Sequence, residues 1–251
     1  MKYFNNHFHS YKLKHPVDMS LISTDMHSHL IPGIDDGAET IGDSLELIRS
    51  IYNLGYKKII ITPHIMSDFF KNTREIIFKK LESLKVAVAK EQIPLQIEAA
   101  AEYMLDDGFI KKFRAGELLT FGKKGKKYVL IELSAYFPPD SLYQVIFDLK
   151  IEGYSPILAH PERYSYWHNE FEKFVYLKNK EVLFQVNLPS LSGYCSSEVK
   201  KIAEKLINNN MVEFVGSDVH NTVYLEQMKK ATFSKHLEKL VNSGRLMNNE
   251  L

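Results

Sequence analysis

Short apolar segments alternate along the chain with longer stretches in which apolar residues recur at helical spacing. Segments such as Lys58 to Thr62 and Ser155 to Ala159 are almost continuously apolar and stop at a proline or histidine, a pattern typical of strands buried on both faces. Between them, stretches such as residues 40–54 and 196–208 carry apolar residues at the i, i+3, i+4 positions of an amphipathic helix. The alternation predicts an α/β protein with a largely parallel sheet.

The predicted elements can be bounded approximately from these patterns. The predicted strands are residues 21–26, 58–62, 95–101, 128–133, 155–159, 182–186 and 213–217. The predicted helices are residues 40–54, 73–90, 139–152, 168–179 and 196–208. Residues 105–119 form a broken segment, and the C-terminal part is predicted to be helical and to end in a polar tail.

About seven strand–helix units follow one another without a linker or repeat, which favours one domain over residues 20–251 preceded by an N-terminal extension, residues 1–19. Parallel strands joined by helices cross over right-handedly, and this many units favour closure into a (β/α) barrel. An open, doubly wound sheet is the second choice. In a barrel, functional side chains gather at the carboxyl ends of the strands.

Composition narrows the functional classes. The 251 residues are 45% hydrophobic and 25% charged, with a net charge of +1 that offers no field to attract nucleic acid. No apolar run approaches the ~20 residues needed to span a bilayer, and the N-terminus has no secretory signal pattern, so we expect a cytoplasmic protein. The single cysteine, Cys195, excludes an intramolecular disulfide, and no phosphate-cradling loop surrounds it, which argues against a cysteine nucleophile.

The first predicted strand runs into Asp-Met-His-Ser-His at residues 25–29. His27 and His29 are two residues apart, so their side chains project to the same side of a strand and can converge on one metal ion. The alternative is a pair of ordinary surface histidines. We expect that alternative for the histidines of the N-terminal extension, His7, His9 and His15, because no strand pattern precedes them.

Further ligand-type residues stand at the ends of successive predicted strands. The complete candidate set is His27, His29, Asp36, His64, Glu102, His160, Asp218 and His220. Imidazole and carboxylate ligands suit borderline-to-hard divalent ions such as manganese, iron or zinc. Eight ligands are too many for one ion and suffice for two or three.

These motifs together identify a family resemblance. The motifs are Asp-Met-His-Ser-His with Asp-Asp-Gly, Thr-Pro-His, Ala-Glu-Tyr, Ala-His-Pro-Glu-Arg-Tyr and Gly-Ser-Asp-Val-His. They resemble the PHP (polymerase and histidinol phosphatase) superfamily and, more narrowly, bacterial manganese-dependent protein-tyrosine phosphatases encoded with capsule and exopolysaccharide genes. The resemblance covers roughly residues 20–230 and implies a distorted, TIM-like (β/α)7 barrel with two or three metal ions. By matching positions, it implies one ion at His27, His29, Glu102 and Asp218, a second sharing Glu102 with His64 and His160, and a third at Asp36 and His220.

The resemblance also implies an activity, the hydrolysis of phosphotyrosine by a metal-activated hydroxide. Arg163, Asp218 and His220 are the implied catalytic residues. Arg163 is a candidate bidentate phosphate clamp, and its alternative is a surface salt bridge with Glu162. Many family members carry another arginine shortly after the last histidine ligand, whereas residues 221–225 here contain none.

The implied partner is a phosphotyrosine protein, such as a bacterial tyrosine kinase of polysaccharide synthesis, and self-association stays open. The alternative activities are histidinol-phosphate phosphatase or another small-molecule phosphomonoesterase. A nuclease is disfavoured by the neutral charge, since phosphate contacts dominate nucleic-acid affinity. A catalytically silent regulator is disfavoured by the full ligand set.

Four further expectations concern residues near the candidate ligands. Asp25 could accept a hydrogen bond from a ligand imidazole or have a structural role at the strand end, and Glu132 is expected to be structural or to support a ligand residue. The tyrosines at 103, 164 and 166 are expected to pack rather than to stack on substrate. Asn187 could contact substrate or cap the next element.

Overall fold

Polar side chains that cap the first turns determine where most of the longer helices begin. The structure, a computed structural model, describes residues 13–251. The Thr40 hydroxyl accepts a hydrogen bond from the backbone N–H of Asp43, and the Asp43 carboxylate accepts one from the backbone N–H of Thr40, so a complete capping box opens the first helix. Thr73 and Ser196 cap two later helices in the same way, although without the reciprocal bond. These short-range signals are why the predicted helix starts lie close to the observed ones.

The described residues contain nine α-helices and nine strands. The helices are α1 Ile41–Asn53, α2 Arg74–Lys90, α3 Asp107–Arg114, α4 Leu142–Ile151, α5 Glu172–Asn179, α6 Leu188–Ser192, α7 Ser197–Asn208, α8 Thr222–Ala231 and α9 Lys235–Asn242. The strands are β1 Thr24–Asp25, β2 Lys58–Ile61, β3 His64–Ile65, β4 Gln96–Ala99, β5 Glu102–Met104, β6 Tyr128–Glu132, β7 Ser155–Ala159, β8 Leu183–Asn187 and β9 Phe214–Gly216.

All strand pairs within the sheets are parallel. One sheet has the order β1-β2-β4 and the other the order β3-β5-β6-β7-β8-β9. An isolated parallel bridge joins Ser28, just after β1, to Val219, just after β9. The molecule is therefore a mixed α/β protein whose parallel strands curl, which brings their carboxyl ends to one face.

The central strands are largely apolar because both of their faces are buried, whereas β4 is partly exposed and carries Gln96 and Glu98. Every residue of β2 and β6 is buried. Ile60 and Leu130 belong to an inner cluster enclosed by the sheets, whereas Ile59 and Ile131 pack in the larger cluster with the helices. Successive side chains point to opposite faces of a strand, so a strand covered on both faces cannot alternate between apolar and polar residues.

The structure differs from the predicted elements in three places. Residues 105–119 contain helix α3, whose Asp106 cap accepts from the N–H of Phe109. The predicted first strand, residues 21–26, is shortened to Thr24–Asp25, because a 3-10 turn ends at Leu21 and Ser23 has a φ of 62°. The predicted strand 95–101 stops at Ala99, and pairing resumes only at Glu102. Hydrophobic spacing alone indicates none of these three features.

The C-terminal part is helical in α8 and α9, as predicted, but the polar tail that follows is anchored by two buried residues. Asn248 is fully buried and Leu251 is 2% exposed. The Asn248 side chain donates to the carbonyl oxygens of Thr24 and Val215 and accepts from the N–H of Val215, which attaches the C-terminal segment to β1 and β9.

The extension is described only from Leu13 onwards. Leu13 and Val17 donate backbone hydrogen bonds to the carbonyls of Phe233 and Thr232, and His15 is exposed as expected. His7 and His9 lie outside the described residues. Among residues 13–251, every helix is too short or too polar to traverse a bilayer.

Candidate metal centre

The polar residues predicted to stand at strand ends meet at one face of the molecule. His27 and His29 follow β1, while His64 and Glu102 are the first residues of β3 and β5. His160 follows β7, and Asp218 and His220 follow β9. Because all these strands are parallel, their polar ends share one side, and the measured distances place all eight candidate ligands in one continuous cluster.

Glu102 lies at the centre of this cluster and is fully buried. Its Oε2 atom is 3.1 Å from Nε2 of His27 and 3.3 Å from Nε2 of His29. Its Oε1 atom is 2.9 Å from Nε2 of His160. Asp218 approaches from the opposite side, with Oδ1 3.3 Å from Nε2 of both His27 and His29. One buried pocket thus contains two carboxylates facing two imidazole nitrogens.

A second group of ligand atoms forms the outer part of the cluster. Asp36 Oδ1 lies 3.5 Å from Nε2 of His64 and 3.4 Å from Nε2 of His220. The His29 and His220 rings stack with centroids 4.0 Å apart, which joins the outer group to the inner one. The side chain of Asp36 is 56% exposed, so this end of the cluster opens to solvent.

Glu132 also faces the cluster, where we expected a structural role or one that supports a ligand residue. Its Oε1 atom is 2.9 Å from Nδ1 of His64, and Glu132, His64 and Glu102 form a third group with ligand atoms close enough to share an ion. Sequence reasoning discounted Glu132 because its carboxylate adds another negative charge. Its position at the carboxyl end of β6 was the available signal.

Three of the histidines are held in orientation by hydrogen bonds from Nδ1. His27 Nδ1 donates to Gln185 Oε1 at 2.7 Å, and His29 Nδ1 donates to Asp35 Oδ2 at 2.8 Å. His220 Nδ1 donates to the carbonyl oxygen of Asp218 at 2.8 Å. A proton on Nδ1 leaves the Nε2 lone pair directed into the cluster, as metal-binding histidines require. Gln185 was missed by sequence reasoning, because it lies within a strand whose sequence carries no motif.

Asp35 is the other orienting residue that the sequence did not single out from its neighbour Asp36. Besides His29, it accepts from the backbone N–H groups of Gly37 and His64. Asp25 accepts from the N–H and hydroxyl of Ser217, which fits the structural alternative rather than contact with an imidazole.

The donor set fits divalent cations. Four buried ligand atoms make no hydrogen bond of suitable geometry among the described residues, namely Nδ1 of His64 and of His160, Oε2 of Glu102 and Oε1 of Glu132, although His64 Nδ1 and Glu132 Oε1 lie 2.9 Å apart. A buried polar atom without a partner is costly unless something else binds it. Nitrogen and oxygen donors without thiolate favour borderline-to-hard ions. The three ligand groups can therefore hold metal.

The buried carboxylates and histidines of the cluster strongly shift one another's pKa values. Burial disfavours ionisation of Glu102, but the facing histidines His27 and His64 hold the pKa of its carboxyl well below the usual range. Burial also disfavours a charged His27, yet Glu102 and Asp218 raise its pKa to about 9. The carboxylates thus create a potential that attracts positive charge to the pocket, which a bound cation would satisfy in place of protons.

The backbone is strained at two of the ligands. His160 has a φ of 34° and Asp218 a φ of 49°, both in the left-handed region that residues other than glycine rarely adopt. Such outliers cluster at functional sites, where the surroundings enforce them. Here they turn the chain immediately after β7 and β9, so that the His160 and Asp218 side chains point into the cluster.

Arg163 lies beside the cluster rather than in a surface salt bridge with Glu162. Its Nη1 atom is 3.0 Å from Asp218 Oδ2, and its side chain is 37% exposed. Asn187 donates to the same carboxylate oxygen at 2.7 Å and makes no cap, so its polar contact is with the cluster. Glu162 is buried and instead accepts from the N–H of Asn187 and the hydroxyl of Ser190.

A cavity of about 360 Å³ opens above these groups. It is lined by Asp36, His64, Met66, Met104, Glu132, Leu133, Ala135, His160, Arg163, Tyr164, Asp218, His220 and Tyr224. The hydroxyls of Tyr103 and Tyr164 bind the backbone N–H groups of Leu119 and Leu133, which agrees with the expected packing role. Cys195 is exposed and belongs to none of the ligand groups.

The chain is similar in sequence and in fold to known proteins. The family model for capsular polysaccharide synthesis proteins CpsB/CapC matches residues 23–244. The tyrosine-protein phosphatase YwqE of Bacillus subtilis is 31% identical over 197 residues, which cover 78% of this chain and 77% of YwqE. A solved structure from work on B. subtilis YwqE and Streptococcus pneumoniae CpsB, described as metal-dependent tyrosine phosphatases, superposes with a TM-score of 0.74 at 28% identity, covering 86% of this chain and 84% of the other.

A more distant structural neighbour is similar in fold alone. The histidinol phosphate phosphatase of Lactococcus lactis, solved with zinc, histidinol and phosphate, has a TM-score of 0.54 at 14% identity. The match covers 88% of this chain and 94% of that protein.

Proposed function

This chain belongs to the CpsB/CapC family of capsular polysaccharide synthesis proteins, and from that premise we propose that it is a metal-dependent phosphatase that hydrolyses phosphotyrosine in a protein substrate. The observation that carries the proposal is the continuous cluster of histidines and carboxylates around Glu102, which contains buried ligand atoms without partners and opens into a cavity beside Arg163. The similarity to YwqE, named as a tyrosine-protein phosphatase, supports the substrate class.

We propose that the cluster holds two or three ions, with manganese favoured over iron or zinc. The inner ion would bind His27, His29, Glu102 and Asp218, as the resemblance implied. The other ions would be held by His64 and His160 with Glu102, and by Asp36 with His220. Glu132 lies close enough to His64 and Glu102 to join the second set. When bound, the ions would provide Lewis acidity and lower the pKa of a coordinated water toward ~7.

The chain's own residues determine where the phosphate lies. Arg163 can direct its guanidinium toward phosphate oxygens in the cavity, because its terminal nitrogens lie at the cavity edge and are partly exposed. Asp218 accepts from both Arg163 and Asn187, which holds the guanidinium beside the metal ligands. His220 completes the outer group and borders the cavity. Asp218 therefore contributes as a ligand that also positions the phosphate-binding side chain, and His220 contributes as a ligand at the cavity.

Two finer features of the architecture accompany the proposal. We infer that β2 with β3, and β4 with β5, are two interrupted strands, since the backbone bonds from Ala100 to Ile61 and from Glu102 to Pro63 cross the interruption. With the bridge between Ser28 and Val219, this would make seven strand positions, the distorted (β/α)7 barrel that the resemblance implies. Residues 20–251 would then act as one phosphatase domain.

The substrate is proposed to be a tyrosine-phosphorylated protein of polysaccharide synthesis, such as a bacterial tyrosine kinase. The alternative is a histidinol-phosphate phosphatase, and the fold likeness to the L. lactis enzyme is the observation that favours testing it. Purified protein should be treated with a chelator, reconstituted with manganese and assayed on a phosphotyrosine peptide and on histidinol phosphate. We expect activity to require the metal and kcat/KM to favour the peptide, whereas preference for histidinol phosphate would reject the leading proposal.

Substitutions of candidate ligands test whether the phosphatase activity depends on the cluster. His64→Ala and Asp218→Ala are expected to abolish turnover of p-nitrophenyl phosphate, because each removes a ligand shared by the cluster. The matched control is His236→Ala, since His236 on α9 pairs with Glu204 and belongs to none of the ligand groups. Turnover retained by the two cluster variants would contradict the proposal.

A further inference from the structure

Three of the most exposed large hydrophobic side chains stand on two loops beside the cavity. Phe69 is 80% exposed, and Tyr136 and Phe137 are 85% and 66% exposed. Phe69 lies on the loop after β3, whose Met66 lines the cavity, and the other two lie on the loop after β6, whose Ala135 lines it. We call Phe69, Tyr136 and Phe137 the aromatic rim.

Specific contacts hold the first of these loops in place. The N–H of Met66 donates to the carbonyl of Phe70, and Phe70 stacks on the His64 ring with centroids 5.5 Å apart. Asn72, which is buried, donates to the carbonyl oxygens of His64 and Ile34. Phe70 therefore packs inward against a metal-ligand candidate while its neighbour Phe69 is held pointing outward.

The second loop is held in a comparable way. Tyr166 donates its hydroxyl hydrogen to the carbonyl of Ser134, and the N–H of Tyr136 donates to the Ser134 hydroxyl. Pro138 and Pro139 follow directly and restrict the backbone. Both loops thus display aromatic rings on anchored backbone, so binding a partner there would cost little ordering of the loops.

The separation of the two loops suits an extended polypeptide. β3 pairs with β5 and β5 pairs with β6, so the loops start two strand spacings apart, roughly 10 Å. An extended chain advances about 3.3 Å per residue, so roughly three residues would span that distance. A tyrosyl phosphate inserted into the cavity between the loops would place its flanking residues beside the aromatic rim on both sides.

We propose that the aromatic rim binds apolar side chains within about three residues of the phosphotyrosine in an extended segment of the substrate protein. The proposal rests on the proposed function and adds the kind of sequence that the site selects. Exposed aromatic side chains are the residues that most often provide binding energy in recognition surfaces. Continuity with the cavity favours a peptide substrate here over a second copy of this chain, which would have no phosphate to insert.

The test compares two phosphotyrosine peptides of equal length, one with Leu and Val at the positions flanking the phosphotyrosine and one with Ser and Gly there. p-Nitrophenyl phosphate, which has no flanking residues, serves as the reference substrate. We expect wild-type kcat/KM to favour the apolar peptide by about tenfold, the discrimination that one well-placed aromatic contact typically provides. Equal kcat/KM values for the two peptides would overturn the proposal.

Variants then assign the preference to the rim. Phe69→Ala and the double variant Tyr136→Ala with Phe137→Ala are expected to lower the ratio of apolar-peptide to p-nitrophenyl phosphate kcat/KM by about tenfold, mainly through the KM for the peptide. The matched control is Phe147→Ala, since Phe147 on α4 is 59% exposed and does not line the cavity. An unchanged ratio in the rim variants, or the same fall in the control, would overturn the proposal, as would a change of oligomeric state in place of a change in KM.

A binding measurement separates failure of this inference from failure of the proposed function. Fluorescence anisotropy of a labelled apolar peptide carrying a phosphonate analogue of phosphotyrosine reports binding to the manganese-loaded protein without turnover. We expect weaker binding in the rim variants and unchanged binding in Phe147→Ala. If the wild type binds the analogue but hydrolyses nothing, the proposed function fails and the rim stands. If it hydrolyses p-nitrophenyl phosphate but binds both flanking sequences equally, the rim proposal fails alone.

Discussion

Asp35 has a different role from its neighbour Asp36. Its carboxylate binds Nδ1 of His29 and the N–H groups of Gly37 and His64, so one buried side chain orients one ligand and the backbone of another. Asp36, one residue later, points its carboxylate at His64 and His220. The pair of aspartates therefore divides into one residue that positions ligands and one that can bind metal directly.

Asp35→Asn is expected to lower metal affinity or kcat by about 10- to 100-fold, because an amide is a weaker acceptor for the His29 imidazole. Metal titration followed by phosphatase assay measures the effect. Asp43→Asn is the control, since Asp43 only completes the capping box of α1 and should affect stability without affecting metal affinity. Equal metal affinity in wild type and Asp35→Asn would contradict the assigned role.

Arg163→Lys tests whether the guanidinium binds phosphate or only neutralises Asp218. The substitution keeps the positive charge but removes the planar, forked donor, so KM for an aryl phosphate should rise about tenfold with a smaller change in kcat. Arg49→Lys, at an exposed pair with Glu91, is the control. Wild-type kinetics in Arg163→Lys would indicate that charge alone suffices at this position.

At the level of elements, the loop that follows β1 folds back and packs closely against His29. The N–H of Ala38 donates to the carbonyl of His29, and a Cβ added at Gly37 would lie 2.1 Å from that carbonyl oxygen and 2.5 Å from the His29 Cβ. Only glycine permits this close approach. The turn therefore determines where His29 and Asp36 lie relative to each other.

Gly37→Ala is expected to destabilise the fold by about 1–3 kcal/mol and to weaken metal binding, because the loop must move away from His29. Urea unfolding and metal titration measure the two effects. In Gly42→Ala the new Cβ meets nothing closer than 3.5 Å, and the residue lies in α1, so that variant should be neutral or more stable by up to about 1 kcal/mol. Similar behaviour of the two variants would refute the close-approach argument.

The bounds of helices were predicted well where a capping residue nearby in sequence sets them. The bounds of strands were predicted less well where contacts between residues far apart in sequence set them. Caps such as Thr40 and Thr73 are readable in sequence, and the helices that they open were predicted to within a residue or two. The end of β4 at Ala99 could not be read, because Ala100 and Ala101 continue the predicted strand without a break signal and the interruption depends on backbone bonds to the neighbouring strand.

For the molecule as a whole, the buried C-terminal segment joins the first and last strands. Asn248→Ala removes two donated hydrogen bonds and one accepted one, all buried, and is expected to lower the free energy of unfolding by about 2–4 kcal/mol. Asn249→Ala loses one exposed bond to the carbonyl of Leu21 and should cost less than about 1 kcal/mol. Denaturant unfolding of both variants measures the difference, and equal values would show that the segment contributes little.

Metal binding is expected to stabilise the entire fold, because the ligands come from strands distributed across the sheets. At manganese concentrations about 100 times Kd, the gain is about 2.7 kcal/mol, or about 5–10 °C in Tm for a chain of this size. Differential scanning fluorimetry with and without chelator measures it. His64→Ala should lose most of the shift and His236→Ala should keep it. A shift of equal size in both variants would place the metal elsewhere.

The sequence alone determined the α/β class, the positions of most elements and the identity of the eight candidate ligands. Hydrophobic period and caps are local properties, and ligands at strand ends stand beside recognisable motifs such as Ala-His-Pro-Glu-Arg-Tyr. Only the tertiary structure decided that Glu132 lies within the ligand cluster, that Asp35 and Gln185 bind the Nδ1 atoms of histidines, and that Leu251 is buried. Those facts depend on distances between residues remote in sequence, and these distances are set by how the strands curl and pack.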